Sequence, residues 1–132
     1  NNIKQILGQA VISSLLATSP QAAQHYTVQI VPVAGAGNYH FEPNQLTIRS
    51  GDTVTWINVQ DNSHIIRAVR MPKDGESFES PSLDKSGGKW SYTFKTSGTY
   101  IYNCFLHTSI NPAVIIVDTA SQPFEMQDAV RH

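Results

Sequence analysis

The only cysteine of the chain closes a β-rich run, Tyr100-Ile101-Tyr102-Asn103-Cys104, and His107 follows three residues later. Thr108 to Pro112 then lead into the apolar run Ala113 to Val117. A strand, a short turn and a second strand are all this stretch has room to form. The spacing lets one tight turn point a thiolate and an imidazole at the same place, which is half of a metal site. A soft thiolate with imidazole nitrogen suits copper, zinc or iron, and two histidines with one cysteine in a trigonal plane are the donors associated with electron-transfer copper. A second histidine must come from elsewhere. The plain alternative for Cys104 is a buried thiol acting as a small hydrophobe.

The rest of the chain supplies strands. Tyr26 to Val31 reads as a first strand, ended by Pro32 and the loop Ala34 to Asn38. Tyr39 to Phe41 and Leu46 to Ile48 continue the pattern around a bend at Pro43-Asn44. Thr53 to Asn58 alternates, with Val54 and Trp56 on one face, as a half-buried strand does. Ile65 to Val69 makes another. Met71 to Gly88, rich in Pro, Gly, Ser, Asp and Lys, is a long connection that Phe78 and Leu83 tack onto the core. Trp90 to Phe94 and Thr99 to Asn103 are expected to pair around Ser97-Gly98, with Ala113 to Val117 completing the sheet. Short strands at regular spacing with turn signals predict an all-β, two-sheet sandwich.

The motifs Phe41-Glu42-Pro43, Gly51-Asp52-Thr53-Val54-Thr55-Trp56-Ile57-Asn58, His64, Tyr92-Thr93-Phe94, Ser97-Gly98-Thr99-Tyr100-Ile101-Tyr102 and Cys104-x-x-His107 stand in one order. In that order they resemble the cupredoxin family, closest to its plastocyanin and pseudoazurin branch, over Tyr26 to Asp118. The resemblance implies a Greek-key β-sandwich and one copper ion, cycling between Cu(I) and Cu(II), held by His64, Cys104 and His107. Taken alone, His64 would read as an ordinary half-buried histidine. His25 and His132 carry no motif, and His40 reads as a strand residue. The resemblance further implies single-electron shuttling to a redox partner at the His107 edge, inside a rim of Phe105, Leu106, Ile110 and Pro112. The family's axial methionine would fall at Pro112, or at Asn111 with a one-residue shift. Met71 and Met126 are the only methionines, and both lie elsewhere. The axial place is therefore expected to be empty or filled by oxygen. Loss of the thioether raises the potential if nothing replaces it, and an oxygen donor lowers it.

Residues 1–24 admit two readings. Lys4, the uncharged stretch from Ile6 to Ala17 and Ser19 to Ala23 resemble an export leader, which places the protein in the periplasm or an equivalent compartment. Alternatively Ile3, Ile6, Leu7, Ala10, Val11 and Leu15 follow the i, i+3, i+4, i+7 spacing of an amphipathic helix, whose apolar face would be buried on the sandwich or in a homo-oligomer. The uncharged stretch is shorter than the ~20 residues of a membrane-spanning helix. The expected organisation is thus an extension over 1–24, a sandwich domain over 25–118 and a tail over 119–132.

At 132 residues with a net charge of −1 and 14% charged residues, the chain is about one domain long and lacks the basic balance of a nucleic-acid binder. One cysteine permits neither an internal disulfide framework nor a C-x-x-C zinc site. Two functions compete with electron transfer. A copper-holding or copper-delivery protein fits the missing methionine. A Cys–His hydrolase or transferase requires an oxyanion hole that no sequence feature supplies, so the chain is read as a non-enzyme.

Overall fold

The computed structural model describes residues 22–34, 38–106 and 112–120. In chain order the strands are β1 (His25–Pro32), β2 (Tyr39–Glu42), β3 (Gln45–Arg49), β4 (Thr53–Asn58), β5 (Ile66–Arg70), β6 (Lys89–Thr93), β7 (Gly98–Cys104) and β8 (Ala113–Asp118). They form two four-stranded sheets, ordered β2-β1-β4-β6 and β3-β8-β7-β5. β1 lies parallel to β4 and β3 parallel to β8, and the other pairs are antiparallel. Between β2 and β7 every connection takes the chain from one sheet to the other. Ala23–Ala120 forms one compact unit.

Period-2 alternation builds the interior. On β4, Val54, Trp56 and Asn58 point inward and are buried, which follows from successive residues facing opposite sides of a strand. On β7 the same alternation sends Tyr100, Tyr102 and Cys104 inward. The cysteine is therefore the last inward residue of a core strand. Aromatic rings fill the space between sheets: Trp56 meets Tyr102 edge-on at 5.3 Å between centroids and stacks with Trp90 at 5.7 Å. Phe78, from the long connection, packs at 5.0 Å from Tyr92 and 5.3 Å from Phe94. Phe78 and Leu83 are both buried, as the sequence pattern anticipates for the residues that tack this connection down.

The expected hairpin around Ser97-Gly98 does not form. β6 pairs with β4 and β7 pairs with β5 and β8, so the two strands belong to different sheets. Alternation specifies which side chains face the core but not which strand lies alongside. Phe94 and Tyr100 are both fully buried, with their rings edge-on at 5.1 Å, so the link between them crosses the core's edge. Pro32, expected to end the first strand, is its last residue and stands opposite Tyr39, at a strand end where a missing N–H is tolerated.

No helix occurs among the described residues. Of the expected helical extension over 1–24 only Ala22 to Gln24 are described, and they are not helical, so the helical part of the expected fold has no support. The tail beyond Ala120 lies outside the described residues.

Gly98, which starts β7, has φ +133°, and a Cβ there would sit 2.4 Å from Pro72 Cβ. Gly87 has φ +93°, and a Cβ added to it would have nothing within 4 Å. Gly87→Ala is thus expected to cost backbone strain alone, on the order of 1–3 kcal/mol. Gly98→Ala adds a clash with the Pro72 ring and should cost clearly more, read from urea midpoints of the two variants; equal losses would contradict the close approach of Pro72.

Candidate metal centre

Cys104 is fully buried at the end of β7, opposite Ile66 on β5. The pairing runs past the strand end, because Phe105 N donates to Ile65 O at 2.8 Å. Ile65 N in turn donates to Cys104 Sγ at 3.3 Å. The residue after His64 is thereby fastened to the sulfur. His64 is itself fully buried, and its backbone bonds Leu83 in both directions, at 3.1 and 2.8 Å. Its ring lies edge-on to Tyr39 at 4.6 Å, and its Nε2 is 2.7 Å from Gln60 Oε1. Cys104 is adjacent to the Tyr39 hydroxyl and, after burial, contributes to its raised pKa. Tyr39 thus adjoins both His64 and Cys104.

Buried polar side chains hold this end of the sandwich in place. Asn58, inward-facing on β4 and fully buried, donates through Nδ2 to Asn62 O at 2.8 Å and to Leu83 O at 2.9 Å. Its Oδ1 accepts from Gln60 N at 2.8 Å. Ser80 Oγ accepts from Ile66 N at 2.8 Å and donates to Pro81 O at 2.8 Å. These bonds fix the loops on either side of His64 and the first residue of β5.

Burial, and then the adjacent Cys104, raise the Tyr39 hydroxyl well above the usual tyrosine range, so it stays protonated and available as a donor. The thiolate is the form that ligates metal. At His64, a Gln oxygen can only accept, so Nε2 bears hydrogen toward Gln60, and in the neutral ring the lone pair is on the buried Nδ1. A soft sulfur and an imidazole nitrogen, both fully buried, fit copper.

The structure brings His64 and Cys104 to one end of the sandwich, while His107, Ile110 and Asn111 lie outside the described residues. Among the described residues no group of three His, Cys, Asp or Glu side chains converges. His25 is exposed on β1, and His40 is half-buried on β2, on the face opposite Tyr39 and Phe41. Met71 is 41% exposed just beyond β5, and Met126 lies outside the described residues. Of the expected rim, Phe105 and Leu106 are 46% and 49% exposed, and Pro112 is exposed as well. The Arg67 guanidinium stands 4.7 Å over the Phe105 ring and 3.7 Å from the Glu79 carboxylate. Sequence reasoning missed Tyr39, Asn58, Gln60 and Ser80 as parts of the site. The inward register of Asn58, in line with Val54 and Trp56, is the one signal that pointed to any of them.

A family described as copper binding proteins, plastocyanin/azurin family, matches residues 28–118. Amicyanin of Paracoccus denitrificans is 32% identical over 76 residues, spanning 58% of this chain but only 57% of the amicyanin. A plastocyanin of Scenedesmus fuscus is 37% identical over 79 residues, or 56% of this chain and 81% of the plastocyanin. A solved structure described as a novel purple cupredoxin from Nitrosopumilus maritimus superposes with a TM-score of 0.56 at 30% identity, over 74% of this chain and 100% of that one.

Replacing Ser80 by Ala leaves the buried Ile66 N–H without its acceptor, one residue from the N–H that meets sulfur. The expected loss is about 1–3 kcal/mol, seen as a lower urea midpoint at constant slope. An unchanged midpoint would show that the Ser80 bond contributes nothing.

Proposed function

The chain belongs to the plastocyanin/azurin family of copper-binding proteins, and from that membership we propose that it carries single electrons on one copper ion held by His64, Cys104 and His107. The observation that carries the reading is the bond from Ile65 N to Cys104 Sγ, which ties the residue beside one proposed ligand to the sulfur of another. When bound, copper supplies a one-electron couple between Cu(I) and Cu(II). The protein's part is to hold the donors still. His64 is anchored by backbone bonds to Leu83, and Cys104 by the Ile65 N–H on its sulfur and the Phe105 N to Ile65 O bond beside it, so a change of charge would be met by little movement of the frame.

The proposed site has no methionine sulfur. Met71 and Met126 lie outside the short loop from His107 to β8, and Thr108 to Pro112 offer oxygen or no donor. Pro112 itself lacks a backbone N–H and adds no ligand. The exposed Phe105, Leu106 and Pro112, with Ile110, form the proposed apolar dock for a redox partner at the His107 edge. The reading includes export to the periplasm or an equivalent compartment, supported by the leader-like composition of residues 1–24. Among the described residues no helix is long and apolar enough to cross a membrane.

Metal analysis and visible absorption of Cys104→Ala test the ligand set. Loss of copper together with the thiolate-to-copper band is expected, and copper at wild-type occupancy with unchanged colour would overturn it. A second variant addresses the axial position: Pro112→Met, by offering a weak thioether donor, is expected to alter the visible spectrum and lower the reduction potential. Wild-type values for both would contradict an axial place open to sulfur.

A further inference from the structure

The orientation of the His64 ring can be traced to a group that has only one way to bond. Asn38 O is a backbone carbonyl and only accepts, and Gln60 Nε2 donates to it at 3.1 Å. The Gln60 amide is therefore turned with Oε1 toward His64, and Oε1 lies 2.7 Å from the ring's Nε2. An amide oxygen likewise only accepts, so the ring nitrogen facing it is the one that bears hydrogen. The direction of the whole chain of bonds, from imidazole N–H to amide to carbonyl, is set by the carbonyl at its end.

The relay is also fixed in place. Gln60 N donates to Oδ1 of the fully buried Asn58 at 2.8 Å, and Asn58 Nδ2 reaches Leu83 O at 2.9 Å. That same carbonyl accepts from His64 N at 3.1 Å. Backbone and ring of His64 are thus referred to one turn, residues 58–62.

We propose that Gln60 is a positioning residue that holds His64 as the Nε2–H tautomer with Nδ1 directed to metal, and that its neutral amide sets the reduction potential higher than a carboxylate there would. The proposal rests on His64 being a copper ligand. The physical basis is that partners on the far nitrogen of a ligating imidazole fix its tautomer and its basicity, and altering them typically changes metal affinity 10–100-fold. A carboxylate acceptor makes the imidazole a stronger donor and favours Cu(II). An amide does so less, and an apolar residue leaves the N–H without an acceptor and weakens the donor further.

Gln60→Glu and Gln60→Leu test this together with the unaltered protein. In the metal-free wild type, nitrogen NMR of the His64 ring is expected to show a protonated Nε2 and a bare Nδ1, as it should in Gln60→Glu; a protonated Nδ1 in the wild type overturns the proposal without reference to copper. With copper bound, the potential should fall in Gln60→Glu and rise in Gln60→Leu, each by about a tenfold change in the Cu(II)-to-Cu(I) affinity ratio, or about 59 mV for a one-electron couple. A purely structural role would not move the potential in opposite directions. Wild-type potentials in both variants overturn the proposal, and should Gln60→Leu not fold, the glutamate variant and the metal-free spectrum decide it. His64→Ala separates the two levels. If it retains the thiolate-to-copper band, the ligand reading fails and the relay with it; if it loses the band while the Gln60 variants keep wild-type potentials, only the relay fails.

Discussion

A single backbone N–H, that of Ile65, binds the two halves of the proposed centre together by donating to Cys104 Sγ. It exists because β5 and β7 pair in antiparallel register up to Ile66 and Cys104, and because Phe105 N continues the ladder to Ile65 O. That register depends in turn on β7 being a core strand whose inward positions are Tyr100, Tyr102 and Cys104. A one-residue slip would turn all three outward at once. The packing of the sandwich and the position of the sulfur are therefore one constraint.

Magnitudes separate the frame of the site from its rim. The bonds of the buried Ser80 and Asn58 leave backbone partners stranded when removed, at about 1–3 kcal/mol apiece, and the part-buried Gln60 leaves the His64 ring without its acceptor. The Arg67–Glu79 pair is solvent-exposed at 3.7 Å, where such pairs contribute about 0–1 kcal/mol. The frame around His64 and Cys104 thus comes from Asn58 and Ser80 inside the sandwich and Gln60 at its margin. Phe105, Leu106 and the Arg67–Glu79 pair stand outside that frame, exposed to solvent.

The strands were legible because alternation is a local property. Val54 and Trp56 on β4, and Phe78 and Leu83 in the long connection, face the core as their pattern implied. The partner of each strand was not legible: Trp90 to Phe94 and Thr99 to Asn103 read as a hairpin, yet they join different sheets. Periodicity encodes a face, whereas pairing depends on contacts distant in sequence. Resemblance singled out His64, and the structure adds that its neighbour bonds the sulfur. Nothing in the sequence marked Tyr39, Gln60 or Ser80, since their importance lies in which carbonyl or ring each one meets. His107 and the axial loop rest on resemblance, because those residues lie outside the described part of the chain.

X-ray absorption at the copper edge of the copper-loaded protein tests the central claim most directly, because it counts the donor atoms around the metal. One short copper–sulfur path and two copper–nitrogen paths, with no second sulfur, is the shell expected from His64, Cys104 and His107. A shell of nitrogen and oxygen alone would remove Cys104 from the site, and a second sulfur from Met71 or Met126 would contradict the three-ligand arrangement.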